Sequence, residues 1–168
     1  INTTVGDFEN NCKKILSFYS NSVDANADIA VFPELAITGY PPQDLLLEQS
    51  FVDRNVQKLE ALTSVVDDVP MVVGYVQPIG KNLYNSAALL QNGEISGRYD
   101  KVLLPTYDVF DEDRYFTPGE KRYPLKVKIG KNTIFLGVEI CEDMWDNDYT
   151  CKVTDELVNA GAEMILNI

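Results

Sequence analysis

The sequence of 168 residues contains no histidine and only three cysteines, Cys12, Cys141 and Cys151. Without an imidazole, the chain cannot form a serine or cysteine hydrolase that uses histidine as its base, or a histidine-ligated metal site. The odd number of cysteines and the lack of a CxxC pair exclude the usual disulfide frameworks and structural zinc sites. We therefore expect a cytoplasmic protein without a metal centre.

Long apolar runs and an excess of positive charge are also missing. No stretch of 18 apolar residues occurs, and the first residues, "INTTVGDFEN", lack the basic flank and apolar core of a targeting segment. The chain has 14 basic and 26 acidic residues, a formal net charge of −12, which repels a phosphate backbone. We expect binding to neither membranes nor nucleic acid.

The periodicity of the remaining residues predicts an α/β fold in one domain. Apolar residues recur at helical spacing after Asp7, a suitable N-cap, and again between Phe51 and Val66. Strand patterns make up most of the rest, with hairpins turning at Asn92-Gly93 and near Gly130. A helix near 154–160 and a final apolar strand follow. These elements predict a sheet covered by helices on one face.

Both ends of the sequence predict a piece of a longer polypeptide. The first residue is not Met, and the last residues, "AEMILNI", form an apolar strand pattern. We expect residues 1–168 to be one domain that is truncated at both ends.

Three chemically reactive residues follow three predicted strands. Glu34 comes after "DIAVFP", Lys101 after "GRYD", and Cys141 after "GVEI". Strand ends are where α/β sheets form ligand sites. An ammonium group favours the thiolate, and a partly desolvated carboxylate can move a proton, so these groups could perform acyl transfer without histidine. Spacing alone leaves open a buried structural cysteine, a turn-capping glutamate and a surface lysine.

The amino-acid sequences of three longer motifs resemble those of the nitrilase superfamily. These motifs are "VFPELAITGYPPQDLLL", "GRYDKVLLPTYDVFDEDRYFTPG" and "GVEICEDMW", and the phrases "GYPPQDLL" and "LPTYDVFDEDRYF" are most similar to the glutaminase domains of glutamine-dependent NAD+ synthetases. The resemblance covers nearly the whole chain. It implies an αββα sandwich, of which this chain would hold an incomplete part.

The resemblance also implies roles for individual residues. Glu34 matches the general base, Lys101 the lysine and Cys141 the nucleophile of a Glu-Lys-Cys triad, and Glu112 matches a glutamate that positions the lysine. A plain exposed acid is the alternative for Glu112.

Further positions are candidates for contact with the substrate. Tyr107 matches a substrate-side tyrosine, for which a packing role is the alternative, and Glu142 and Asp143 are candidate acceptors for a substrate ammonium, unless both are solvated acids. Arg114 is the one arginine of these motifs that could bind the substrate carboxylate.

The implied reaction is hydrolysis of glutamine to glutamate and ammonia through a cysteine thioester. The ammonia would supply a C-terminal synthetase domain that amidates deamido-NAD+ with ATP and Mg2+. This chain has no phosphate-binding GxxxxGK[ST] or GxGxxG motif, so we expect ATP and Mg2+ only in that absent domain and no cofactor here. The resemblance also implies a homo-oligomer.

Two other functions remain compatible with the sequence. A stand-alone amidase or nitrilase would use the same triad on another amide or nitrile. A non-catalytic domain that keeps the fold would have an unreactive thiol at position 141.

The acidic residues around Cys141 pose a question for any mechanism. Glu139 alternates with Cys141 along the predicted strand, so we expect both on one face. Nearby carboxylates raise the pKa of a thiol, so a thiolate would require Lys101 to outweigh Glu34, Glu139 and Glu142, or some of those carboxylates to point away.

Overall fold

The chain folds into three helices and seven strands, which the computed structural model describes for residues 1–168. The elements are α1 (Phe8–Asp24), β1 (Ala30–Val31), α2 (Gln49–Thr63), β2 (Met71–Ile79), β3 (Asn82–Gln91), β4 (Glu94–Asp100), β5 (Leu125–Ile129), β6 (Asn132–Glu139), α3 (Val153–Asn159) and β7 (Met164–Asn167). None of the helices has the length and apolar character that crossing a membrane requires.

The helices begin where their sequence predicts. The Asp7 side chain accepts the Asn10 backbone N–H at 3.3 Å and caps α1, whose buried Phe8, Ile15 and Tyr19 lie along one face. In α2, Phe51 packs against Phe8 with ring centroids 4.9 Å apart. The two helices therefore form one layer.

The strands form two sheets, which corrects the expectation of one. The first has the order β1-β2-β3-β4 and the second β5-β6-β7. Both predicted hairpins are present, and Asn92 and Gly93 have the positive φ angles, 53° and 74°, that a tight turn needs. The sequence could not divide the strands between sheets because both hairpins have the same period-2 pattern.

The four layers follow the order helix, sheet, sheet, helix. Alternate residues of β2 and β3, such as Met71 and Leu90, pack beneath α1 and α2, whereas Val72 and Leu89 face the second sheet and meet its Leu136. The outer face of β6 is covered by α3. Strands buried on both faces explain why β2 and β3 are nearly continuous apolar runs.

The first sheet brings two of the predicted strand ends to one edge. β1 is parallel to β2. β3 is antiparallel to both β2 and β4, so β1, β2 and β4 all run in the same direction. Lys101 N–H donates to the Asn85 carbonyl at 2.8 Å, one step beyond the end of β4. Glu34 and Lys101 thus leave the sheet at the same edge.

Gly74 of β2 allows the turn that carries Glu34 to approach the sheet. A Cβ at position 74 would lie 2.7 Å from the Glu34 carbonyl carbon and would also overlap the backbone of Pro33 and Leu35. The turn is tied to the strand because the Ile37 N–H donates to the Gly74 carbonyl at 3.3 Å. Only glycine fits this contact without moving the backbone.

We predict that Gly74→Ala lowers the free energy of unfolding by about 1–3 kcal/mol, because the new methyl group overlaps backbone that cannot rotate away. Urea unfolding followed by circular dichroism measures the effect. Gly97→Ala is the matched control, since a Cβ there meets only the flexible Leu125 side chain, at 3.2 Å. Equal stability of the two variants would contradict the close approach.

Candidate active site

Lys101 lies at the centre of a buried ion-pair cluster. Its side chain is 1% exposed, and its Nζ lies 2.7 Å from Glu34 Oε1 and 2.8 Å from Glu112 Oε2. Burial disfavours the ammonium, but the two carboxylates together outweigh it and raise the pKa of Lys101. The cluster therefore holds a charged lysine, and the surface-lysine alternative is wrong.

Glu112 reaches the cluster from a short helix, Glu112–Arg114. Its N–H donates to the Pro105 carbonyl at 3.1 Å, and its Oε1 accepts the Tyr40 hydroxyl at 3.0 Å and the Lys101 ammonium at 3.0 Å. Burial raises the pKa of the Glu112 carboxyl, although Lys101 opposes the rise. Glu112 is buried and is not the exposed acid that was the alternative.

The Glu34 side chain points at Lys101 rather than capping its own turn. Oε1 accepts the Lys101 ammonium at 2.7 Å and the Asn85 Nδ2–H at 2.6 Å. The following residue, Leu35, has a φ of 47°, a left-handed conformation that is unusual for a branched side chain. This sharp turn, supported by Gly74, directs the carboxylate back over the sheet edge.

Cys141 also has a left-handed backbone, with a φ of 47°. It begins a short helix, Cys141–Met144, directly after β6, and its N–H donates to the Ile168 carbonyl at 2.8 Å. Strained residues of this kind cluster at functional sites, where the surrounding structure holds them in place. No feature of the sequence pattern predicted this conformation.

The charges around Cys141 do not favour the thiolate. Burial and the Glu34 carboxylate raise the pKa of Cys141 to about 11, against a lowering by Lys101. Lys101 therefore does not outweigh the carboxylates, because burial adds to their effect and the ammonium is bound to two of them. At neutral pH the thiol keeps its proton.

Glu139 does not share a face with Cys141, contrary to the expectation from strand alternation. Its Oε1 accepts the Thr154 hydroxyl of the α3 segment at 2.5 Å, on the outer side of β6. Alternation fails because β6 ends at Glu139 and the backbone then turns through the left-handed Cys141. Burial raises the pKa of Glu139, but this carboxyl is not among the groups that shift Cys141.

Asp143 joins the segment after Cys141 to the segment after Lys101. Its Oδ1 accepts the N–H groups of Val102 and Leu103 at 3.0 and 2.8 Å, and its Oδ2 accepts the Ile140 N–H at 3.1 Å and the Tyr99 hydroxyl at 2.9 Å. Asp143 is fully buried, and burial raises its pKa to about 6 in spite of these donors. It is neither a solvated acid nor free to bind substrate.

Tyr107 and Glu142 form a pair beside Cys141. The Glu142 carboxylate is buried and accepts hydroxyl groups from Tyr107 at 2.8 Å and Tyr149 at 2.9 Å, next to the exposed Trp145. Tyr107 is 54% exposed, which disfavours a packing role. The structure thus brings together two residues that were predicted separately, and adds Tyr149.

Arg114 is directed away from this pair. Its Nη2 lies 3.3 Å from the Asp44 carboxylate, and its guanidinium lies 5.3 Å from the centre of the Tyr115 ring. The chain also contains no group of histidine, cysteine or carboxylate residues arranged to hold a metal ion.

Sequence reasoning missed Asn85, whose side chain bonds Glu34. The available indication was a polar residue near the start of an otherwise apolar stretch of β3, "NSAALL". It also missed that the Asp143 carboxylate binds backbone N–H groups, because a sequence does not reveal which N–H groups need a side-chain partner.

Comparisons with known proteins agree on one family. The carbon-nitrogen hydrolase family model matches residues 1–168. A glutamine-dependent NAD(+) synthetase of Thermotoga maritima is 44% identical over 148 residues, 87% of this chain and 25% of the relative. The solved glutamine-dependent NAD+ synthetase of Acinetobacter baumannii, in complex with adenosine diphosphate, is 33% identical with a TM-score of 0.87, and the match covers 100% of this chain and 30% of that one. This chain therefore spans less than a third of the length of either protein.

A more distant structure shares the fold. A mutant of the amidase from Nesterenkonia sp. AN1, which shows covalent addition of the acetamide moiety of fluoroacetamide at its active-site cysteine, is 21% identical with a TM-score of 0.82. The match covers 99% of this chain and 60% of the amidase.

The charge balance at Cys141 can be tested by removing the Glu34 carboxylate. Burial raises the pKa of Cys141 to about 11 and the Glu34 carboxylate adds to the rise, so we predict that Glu34→Gln lowers this pKa by leaving Lys101 less opposed. The pH dependence of iodoacetamide labelling at Cys141, read by peptide mass spectrometry, measures the shift. Glu60→Gln, on the exposed face of α2, should change nothing, and an unchanged or raised Cys141 pKa in Glu34→Gln would contradict the prediction.

Proposed function

The chain belongs to the carbon-nitrogen hydrolase family, and we propose that it is the glutamine-hydrolysing part of a glutamine-dependent NAD+ synthetase. The observation that carries the chemistry is the buried Lys101 ammonium, bound by Glu34 and Glu112 and close enough to Cys141 to act on the pKa of its thiol. The choice of glutamine is supported by the 44% identity to a relative of that name.

In the proposed reaction Glu34 acts as the general base. A thiol with a pKa of about 11 is protonated at neutral pH, so attack requires a base that takes the proton as the sulfur–carbon bond forms. Glu34 Oε1 is occupied by Lys101 and Asn85, and Oε2 accepts no hydrogen bond from the chain. Oε2 is therefore the oxygen that we assign to the thiol proton of Cys141.

Attack on the amide carbon gives a tetrahedral intermediate with a negative oxygen. The Lys101 ammonium and the backbone N–H of Glu142 are the proposed donors to it, and removing one such donor costs about 2.7–4 kcal/mol of barrier in comparable sites. Glu34 returns the proton to the leaving ammonia, and a thioester remains on Cys141. Glu34 then deprotonates a water molecule, which releases glutamate and restores the thiol.

Glu142 and Tyr107 are the proposed contacts for the substrate. The Glu142 carboxylate is fixed by the hydroxyl groups of Tyr107 and Tyr149 and lines a pocket with both tyrosines, and a buried carboxylate of this kind favours an ammonium group. The α-ammonium of glutamine fits that requirement.

The ammonia is proposed to pass to a C-terminal synthetase domain, which would bind ATP and Mg2+ and amidate deamido-NAD+. This step is supported by the similarity to glutamine-dependent NAD+ synthetases. This chain covers less than a third of the length of either relative. A cytoplasmic homo-oligomer belongs to the same proposal.

The triad assignment predicts a steep loss of glutaminase activity in three variants. Cys141→Ala should release no ammonia from glutamine, and Glu34→Gln and Lys101→Ala should each lower kcat by at least about 100-fold, because a base or an oxyanion donor is lost. A coupled ammonia assay, with circular dichroism to verify folding, measures this. Cys151→Ala removes a partly buried thiol elsewhere and should keep normal turnover, and near-normal turnover in any of the three variants would reject the assignment.

The synthetase partnership predicts a separation of two activities in the full-length polypeptide. Cys141→Ala should abolish NAD+ formation from glutamine but retain NAD+ formation from added ammonium, because only the ammonia source is removed. Measuring NAD+ with each nitrogen donor tests this. If the wild-type polypeptide hydrolyses glutamine but forms no NAD+ from either donor, the partnership is wrong.

A further inference from the structure

Asn85 is an uncharged residue whose side chain forms a hydrogen bond with the proposed base, Glu34. It lies on β3 with 1% of its surface exposed, and its Nδ2–H donates to Glu34 Oε1 at 2.6 Å. The Asn85 side-chain amide must direct its NH2 group at Glu34, because an ionised carboxylate can only accept hydrogen bonds. Asn85 thus places a fixed donor on the same oxygen that binds Lys101.

The backbone of Asn85 holds the second member of the cluster. Its carbonyl accepts the Lys101 N–H at 2.8 Å, immediately after β4. One residue of the central strand β3 is therefore bonded to Glu34 through its side chain and to Lys101 through its main chain. A shift of Asn85 would displace both groups together.

Packing alone does not explain an asparagine at this position. Asn85 Oδ1 is buried and has no hydrogen-bond partner in the protein, which is unfavourable for an amide oxygen. An apolar residue would avoid that cost on a strand whose following residues, Ala87 to Leu90, are apolar and buried. The bond from Nδ2 to Glu34 is the interaction that an apolar side chain could not replace.

We propose that Asn85 is the positioning residue of the general base, an inference that rests on the proposed role of Glu34. Asn85 and Lys101 together occupy Oε1, which fixes the carboxylate and leaves Oε2 as the oxygen available for the Cys141 thiol proton. The proposal gives Asn85 no contact with the substrate, so its effect falls on kcat more than on KM.

The test compares kcat and KM for glutamine hydrolysis in wild type, Asn85→Ala and Asn85→Asp. Loss of the donor should lower kcat by about tenfold in Asn85→Ala and leave KM nearly unchanged, because only the orientation of the base is affected. Asn85→Asp has the same shape but places a second carboxyl against Glu34, and should lower kcat at least as far.

Asn55→Ala is the matched control for the structural cost of losing a buried asparagine. Asn55 is fully buried and bonds both the N–H and the carbonyl of Val76, the residue that pairs with Asn85 across β2 and β3. It makes no contact with Glu34. The control should lose stability without lowering kcat, since it acts on the scaffold only.

A measurement without substrate separates this inference from the proposed function. In protein labelled with 13C at glutamate carboxyls, the Glu34 signal, assigned by its loss in Glu34→Gln, should change its chemical shift in Asn85→Ala and Asn85→Asp but keep it in Asn55→Ala, because only the first two lose the donor to Glu34. If glutamine is not hydrolysed but this change occurs, the proposed function fails and the positioning role stands. If Asn85→Asp leaves the chemical shift of Glu34 and kcat unchanged, the positioning role is overturned, whether or not Asn85→Ala folds.

Discussion

The buried ammonium of Lys101 is the constraint on which the site depends. A charge that is 1% exposed is tolerable only with close counter-charges, and Lys101 has two carboxylates, at 2.7 and 2.8 Å. Glu34 and Glu112 belong to separate loops, so the requirement for compensation draws both loops over one sheet edge. Removing the lysine would leave two buried carboxylates facing each other, which explains why the three side chains form a single unit.

The same sharing of charge decides how the thiol can react. Each carboxylate that stabilises Lys101 also adds negative charge near Cys141, and with burial the balance raises the pKa of the thiol to about 11. In the proposed reaction a preformed thiolate is therefore not the basis of reactivity. The attacking sulfur is instead generated during attack by a correctly oriented base, which places the chemical demand on Glu34 and its hydrogen bonds.

The sequence predicted the elements of this fold better than their relations in space. Caps, turn residues and periodicity placed the helices and both hairpins because these features depend on near neighbours. The division into two sheets, the left-handed backbone at Cys141 and the outward direction of Glu139 depend on contacts between distant segments. Burial of Glu112 was likewise not visible in its acidic loop, and Asn85 lies 51 residues from the carboxylate that it bonds.

Asp143 explains how strands from different sheets can supply one reaction centre. Lys101 follows β4 of the first sheet and Cys141 follows β6 of the second, and the Asp143 carboxylate binds N–H groups on both connecting segments. Any slip between the sheets would leave buried N–H groups without partners, at about 1–3 kcal/mol each. The separation of Cys141 and Lys101 is therefore set by the packing of the two sheets through this carboxylate, and neither loop determines it alone.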